Sequence, residues 1–178
     1  KVVARYQQYR GVKKAMQRML TGDSREVDGE VDRRGGIVWH TQGSGKSLTM
    51  VFLIRSMRSH PELRSFKIVL VTDRTDLQTQ LSGTVALTGE TVRVARNSKQ
   101  VKDLLAAEGP GVVMAMIQKY RDTTSDGGDG LLGGEAFGVL NESNSILVMV
   151  DEAHRSHGSA LHANLMASLP NAVRVGFT

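Results

Sequence analysis

Gly36-Ile37-Val38-Trp39-His40-Thr41-Gln42-Gly43-Ser44-Gly45-Lys46-Ser47 is the stretch whose reading decides the fold. It opens as a short β-branched run, passes through a glycine-rich turn, and from Lys46 takes on a helical pattern that continues to Ser59. Strand, glycine turn and helix in that order are the context in which Gly-Lys-Ser reads as a phosphate-binding loop. Glycines let successive backbone N–H groups converge on a phosphate, and the helix N-terminus adds its partial positive charge. Thr41, Gly43, Ser44 and Gly45 are then the lining of the loop. The Lys46 ammonium reaches the β- and γ-phosphates, and Ser47 ligates magnesium. The competing reading is a glycine turn that contains Gly-Lys-Ser by accident, and the flanking strand and helix count against it. The pattern departs from the usual one at its first position, where His40 stands in place of glycine.

Outward from this loop the same theme repeats. Short runs rich in β-branched residues occur at Lys67–Val71, Val112–Ala115 and Ser145–Val150, and the last two are apolar on both faces. Val92–Val94 and Arg174–Phe177 read as two further strands. Helical patterns lie between them at Lys46–Ser59, Thr75–Leu81 and Lys99–Glu108, and another follows His154 to about Ser168. Asn97 or Ser98 is a candidate cap for the third. Strands buried on both faces and separated by helices imply an α/β domain, a mostly parallel sheet with helices on both faces. Before the loop, Tyr6, Tyr9, Val12, Met16 and Met19 mark an amphipathic helix over Arg5–Leu20, and residues 21–35 read as a surface loop. Asp126–Gly134 holds five glycines in nine residues and is expected to be a surface loop.

Hydrolysis needs a second element, a carboxylate that holds the metal's water shell, with another to polarise the attacking water. Asp151-Glu152 follows the apolar run Ser145–Val150 directly, so Asp151 is expected at the carboxyl edge of the sheet beside the loop. Asp151 is the magnesium-side residue and Glu152 the candidate general base. Two acids at a helix start also suit the helix dipole, which is the bland alternative. The pairing with a phosphate loop about a hundred residues earlier favours the catalytic reading.

The bulk numbers set bounds. A chain of 178 residues with 40% hydrophobic content suits one domain with its own core. There are no cysteines, so disulfides and cysteine-based zinc sites are excluded. No run reaches the length of a membrane span, the first residues lack the order of a signal peptide, and a cytoplasmic protein without a membrane partner is expected. The net charge of +5, with arginine outnumbering lysine roughly two to one, is compatible with a polyanionic partner and equally with an ordinary basic surface.

These strings resemble superfamily 2 helicases and translocases, with His40 to Ser47 as motif I and Asp151-Glu152-Ala153-His154 as the DEAH box. The likeness narrows with Trp39 to Met50, Val71-Thr72-Asp73-Arg74-Thr75-Asp76-Leu77 and Asp151 to Ser156, which are similar to the motor (R) subunit of type I restriction enzymes. The resemblance implies a RecA-like P-loop NTPase domain over residues 1–178, the first of two such domains, using ATP and Mg2+ to move duplex DNA. Many motors of this kind tolerate a residue other than glycine at the His40 position.

Ala4-Arg5-Tyr6-Gln7-Gln8-Tyr9 is similar to a motif in which a glutamine and an aromatic residue read adenine, so Gln8 would bond the adenine edge and Tyr6 or Arg5 would stack on it. Taken without the resemblance, the tyrosines of this helix read as core. Thr72–Leu81 corresponds to motif Ia, contacting the DNA backbone through Arg74 and Gln80, although Arg74 fits a solvated surface equally well. Gln118 and Lys119 lie in a further DNA-contacting motif whose usual threonine is replaced by Met116. His154 and Thr178 would couple the acidic motif to motif III, inside which the chain would end. The resemblance also implies partners: a second RecA-like domain carrying an arginine finger, a nuclease domain, and separate modification and specificity subunits. Another superfamily 2 motor, of type III restriction or repair, and a nucleotide-binding fragment without turnover are the alternatives.

Overall fold

The structure is a computed structural model, and it describes residues 3–41, 43–72, 75–86, 89–116, 137–151 and 160–178. Six strands form one sheet: β1 (Gly36–Val38), β2 (Lys67–Thr72), β3 (Val92–Val94), β4 (Gly111–Met116), β5 (Ile146–Asp151) and β6 (Val173–Phe177). Their spatial order is β1-β6-β5-β2-β4-β3, and every pairing is parallel. The described helices are α1 (Tyr6–Thr21), α2 (Arg25–Asp28), α3 (Lys46–Arg58), α4 (Thr75–Ala86), α5 (Ser98–Ala106) and α6 (Ala160–Ser168). The α/β sheet expected from the sequence is therefore present, and among the described residues it is wholly parallel.

Alternation along the central strands sorts side chains into two cores. Ile68 and Leu70 of β2, with Leu147 and Met149 of β5, face one side, where α1, α3 and α4 contribute Val12, Met19, Leu53, Ile54, Leu81 and Val85. Val69 and Val71, with Ile146, Val148 and Val150, face the other side, against Val101 and Leu105 of α5 and Leu165 of α6. Every residue of β2 and of β5 is buried. Helices thus cover both faces, which is why these strands carry continuous apolar runs instead of alternating ones.

Three expectations are corrected. Residues 21–35 are not all loop: Arg25–Asp28 form a helical turn that ends at Gly29 in the left-handed region (φ 86°), with acids in its first turn. The helix α4 continues to Ala86 instead of stopping at Leu81, because Leu81 and Val85, one turn apart, are both buried. The tyrosines of α1 are not core. Tyr6 and Tyr9 are 69% and 56% exposed, while Gln8 is only 3% exposed and takes the buried place one turn before Val12. The cap of α5 is Asn97, whose side chain accepts from the Gln100 N–H at 2.9 Å. The glycine-rich segment Asp126–Gly134 lies outside the described residues.

Two buried cations hold the amino-terminal side of the sheet. Arg34 pairs with Asp32 and donates to the Asn144 and Asn171 carbonyls at 2.8 and 3.1 Å, tying the approach to β1 to the approaches to β5 and β6. Lys67 Nζ donates to the carbonyls of Leu104 and Leu105 at 3.0 and 3.1 Å and to that of Ala107, closing the carboxyl end of α5. Burial pushes the Lys67 ammonium below its ordinary range, and the Arg93 charge adds to the effect.

Candidate active site

The glycine turn between β1 and α3 lies at the carboxyl edge of the sheet, where ligands of parallel α/β folds bind. Gly43 and Gly45 have φ of 75° and 89°, a region that costs other residues energy. A Cβ on Gly45 would also stand 2.4 Å from Gln8 Nε2, so a side chain there would push the Gln8 amide off the turn. Beyond the turn, α3 begins at Lys46 with Ser47 in its first turn.

Asp151 is the last residue of β5 and pairs in register with Phe177 of β6. Its side chain is 1% exposed, and its Oδ1 lies 2.9 Å from Lys46 Nζ. A carboxylate withdrawn from water needs compensating charge, and the lysine at the mouth of α3 supplies it. The two halves of the candidate site, expected from separate motifs, are thus joined by an ion pair.

The turn is tied down from three directions. Gln8 Nε2 donates to the carbonyls of Ser44 and Gly45 at 3.3 and 3.2 Å, while its Oε1 accepts from the Arg5 N–H at 2.9 Å. His40 Nδ1 and Ser44 Oγ form a hydrogen bond of 3.0 Å across the turn. The His40 N–H donates to the Thr178 carbonyl at 2.7 Å, and the Thr178 N–H donates to Val38 at 3.2 Å, so the β1–β6 ladder runs on into the start of the turn. Desolvation, assisted by the Lys46 charge, holds the His40 ring below its ordinary pKa.

Sequence reasoning missed these ties. Gln8 was expected to meet a base, and the contact it makes here is with the turn, 36 and 37 residues away. Thr41, Gly43, Ser44, Gly45, Lys46 and Ser47 lie in the β1–α3 turn and the start of α3, and Asp151 at the end of β5 and Thr178 just past β6 lie at the same edge of the sheet. Gln80 is on α4, and Arg74, Gln118, Lys119, Glu152 and His154 lie outside the described residues. Next to the turn, a cleft of about 550 Å3 runs between α1 and the edge strand β1. Tyr6, Trp39, Arg10, Lys14 and Arg18 are among the residues that line it, and none of the described lining residues is acidic.

The residues fit a nucleotide with magnesium better than a protein-only metal cage. Among the described residues no group of three or more His, Cys, Asp or Glu side chains converges. A buried carboxylate at the end of β5 and a serine hydroxyl in the first turn of α3 are oxygen donors that would suit a hydrated magnesium leaning on phosphates for its other ligands, and the Lys46 ammonium would pair with those phosphates.

An all-parallel sheet covered on both faces, with a glycine turn feeding a helix beside a buried carboxylate, defines a RecA-like α/β domain. The chain belongs to the SWI2/SNF2 ATPase family, whose model matches residues 7–178. It is 38% identical, over its whole length, to the type I restriction enzyme HindI endonuclease subunit of Haemophilus influenzae. It is 35% identical, again over its whole length, to the provisionally named type I restriction enzyme MjaIXP endonuclease subunit of Methanocaldococcus jannaschii. It spans 17% and 16% of those relatives. The same fold, with a TM-score of 0.60 at 15% identity, occurs in a nuclease-deletion mutant of the type ISP restriction-modification enzyme LlaGI, solved in complex with a DNA substrate mimic; the match covers 100% of this chain and 17% of that one. The resemblance to type I restriction subunits drawn from the sequence is borne out, and membership in this family implies the use of ATP. No described helix is long and apolar enough to cross a membrane.

Proposed function

We propose that residues 1–178 are the first RecA-like domain of an ATP-dependent DNA translocase, the motor part of a type I restriction endonuclease subunit. The observation that carries this reading is the 2.9 Å contact between Lys46 Nζ and Asp151 Oδ1, which brings the glycine turn and the acidic motif together across the sheet edge. In the proposed site the N–H groups of Gly43, Gly45 and Lys46 cradle the phosphates, while the Ser44 N–H closes the turn on the Thr41 carbonyl at 3.0 Å. Ser47 and Asp151 hold magnesium through its water shell, and the ion would offset the charge of the phosphate oxygens. Glu152 takes a proton from the attacking water. Lys46 serves two masters: the ammonium that neutralises Asp151 here is the group that would reach the β- and γ-phosphates, so nucleotide binding exchanges one anionic partner for another.

The exposed Tyr6 ring stacks on the base, and Gln8 offers the adenine the second lone pair of Oε1, because its amide hydrogens are spent on the turn. Arg74, Gln80, Gln118 and Lys119 contact the DNA backbone, which predicts steep salt dependence. His154 and Thr178 couple the site to movement, and the bond from the His40 N–H to the Thr178 carbonyl supports that role for Thr178. A second RecA-like domain, a nuclease domain, and modification and specificity subunits complete the proposed complex.

DNA-stimulated ATP hydrolysis, measured on this chain and on a version extended past Thr178, tests the reading. Stimulation is expected in the extended form, at a rate ~10³-fold or more above the shorter one if an arginine finger is gained. Lys46→Ala should lose nucleotide binding, whereas Glu152→Gln should keep binding and lose turnover. An extended form that ignores DNA would sink the motor assignment.

A further inference from the structure

His40 stands where phosphate loops usually carry glycine, and the proposed mechanism gives it no task. Its surroundings do. Ser44 lies between two glycines with positive φ, 75° and 89°, residues whose backbone is intrinsically permissive. Two side chains grip that residue from different sides. Gln8 holds its carbonyl at 3.3 Å, and His40 holds its hydroxyl at 3.0 Å. The His40 backbone is itself fixed, because its N–H donates to the Thr178 carbonyl at 2.7 Å on the β1–β6 ladder. The ring therefore reaches from the hydrogen-bonded strand end to the residue that joins the two glycines.

The state of the ring suits this task. Burial together with the Lys46 charge disfavours the imidazolium. The neutral ring adds no positive charge to compete with Lys46 for phosphate, and Nδ1 can share a hydrogen with a hydroxyl. The second nitrogen, Nε2, is buried with no hydrogen-bond partner among the described residues, so Ser44 is the ring's anchoring contact.

We propose that His40 is a positioning residue for phosphate binding: through Ser44 Oγ it holds the turn so that the Gly45 and Lys46 N–H groups keep the orientation that a triphosphate requires. Without the grip, the two glycines let the turn sample other conformations, and binding must supply the ordering itself. The proposal rests on the ATP-binding reading above, and the experiment separates the two.

Binding of ATP, ADP and adenosine, each with magnesium, is measured by calorimetry on this chain and on its His40→Ala, Ser44→Ala, His40→Asn, His40→Gln and Lys46→Ala variants, with the urea midpoint of each. Loss of one such hydrogen bond corresponds to about fivefold to tenfold in affinity. His40→Ala and Ser44→Ala should each weaken ATP and ADP by that factor, and a variant carrying both substitutions, measured alongside them, should be no weaker than either single one. Adenosine affinity should not move. An asparagine amide sits where Nδ1 sits, and a glutamine amide where Nε2 sits. His40→Asn should therefore restore ATP affinity to within about twofold of the parent, and His40→Gln should not. This comparison still decides the matter if His40→Ala folds poorly. Unchanged ATP affinity in Lys46→Ala would overturn the phosphate-loop reading itself. Loss in Lys46→Ala with parental affinity in His40→Ala, or rescue by glutamine instead of asparagine, would overturn the role of His40 alone.

Discussion

The Lys46–Asp151 pair makes an asymmetric stability prediction. The carboxylate is 1% exposed and the ammonium side chain 20%, at a separation of 2.9 Å. At that distance, with an effective dielectric of about 20, attraction is about 6 kcal/mol. Withdrawing each ion from water costs several kcal/mol, so the pair as a whole is close to neutral for stability. Removing one partner is not neutral. Lys46→Met keeps the apolar stem but removes the ammonium beside a carboxylate that is withdrawn from water, which should cost about 3 kcal/mol. Asp151→Asn leaves a lysine that can turn toward solvent and should cost about 1 kcal/mol. Replacing both removes the buried charge as well, so the double variant should recover at least about 1 kcal/mol relative to Lys46→Met. Urea unfolding of this chain measures all three. With a slope of about 2 kcal/mol/M, the Lys46→Met midpoint falls by about 1.5 M. Equal losses in the two single variants, or a double variant as unstable as the sum of the singles, would refute the claim that the buried carboxylate depends on this ammonium. The result also governs how lysine variants are read, since lost ATP binding in them carries a stability component that Asp151→Asn can restore.

Three further outcomes are expected. Gly45→Ala should lower both urea stability and ATP affinity more than Gly43→Ala, because its Cβ would stand 2.4 Å from Gln8 Nε2 whereas that of Gly43 meets open space; each carries ~1–3 kcal/mol of backbone strain, and equal effects would dismiss the contact with Gln8. Lys67→Met, which leaves carbonyls at the end of α5 without their donor, should cost about 2–3 kcal/mol in the same assay, and a loss under about 0.5 kcal/mol would show that this cap is dispensable. His40 has its folded pKa below its unfolded value, so its neutral state contributes stability above about pH 6.5 that fades as pH falls through the folded value. The stability advantage of the parent over His40→Asn should accordingly shrink between about pH 7.5 and pH 5.5, and a constant or growing advantage would contradict the assigned direction.

The parallel sheet was legible because β2 and β5 have to be apolar on both faces to sit under two helix layers, and such runs separated by helical spacing have few other solutions. Both halves of the candidate site were legible because glycine at 43 and 45 and aspartate at the end of an apolar run are local signals. What escaped was long-range or hidden inside a periodic stripe. Helical spacing in α1 pointed at Tyr6 and Tyr9, yet the stripe that meets α3 includes a polar residue, Gln8, whose partners are 36 and 37 residues away. A hydrophobicity pattern does not register a buried amide satisfied by carbonyls. Arg34 and Lys67 escaped for the same reason, since their bonds reach backbone carbonyls at separations of 37 to 137 residues and leave no local spacing to read. The helical turn Arg25–Asp28 was signalled by the acids in its first turn and by Gly29, but a single turn falls below what periodicity can detect.

The core and the candidate site are consequences of one register. Leu147 and Met149 face the layer that contains α3, so alternation places Asp151 on that same side, two residues further along β5. Ile146, Val148 and Val150 face α5 and α6. Shifting β5 by one residue against its neighbours would carry the carboxylate to the opposite layer, away from Lys46, and would exchange the packing of every β5 side chain at once. Selection for a close-packed core on both faces therefore fixes the side from which the acid meets the loop. The loop, in turn, depends on α1, because the helix that buries Val12 and Met19 on that layer also delivers Gln8 to Ser44 and Gly45. A substitution deep in the α1–α3 interface, such as Val12→Ala, reaches the site by this path: it loosens the helix that holds the turn before it disturbs any residue that would touch phosphate.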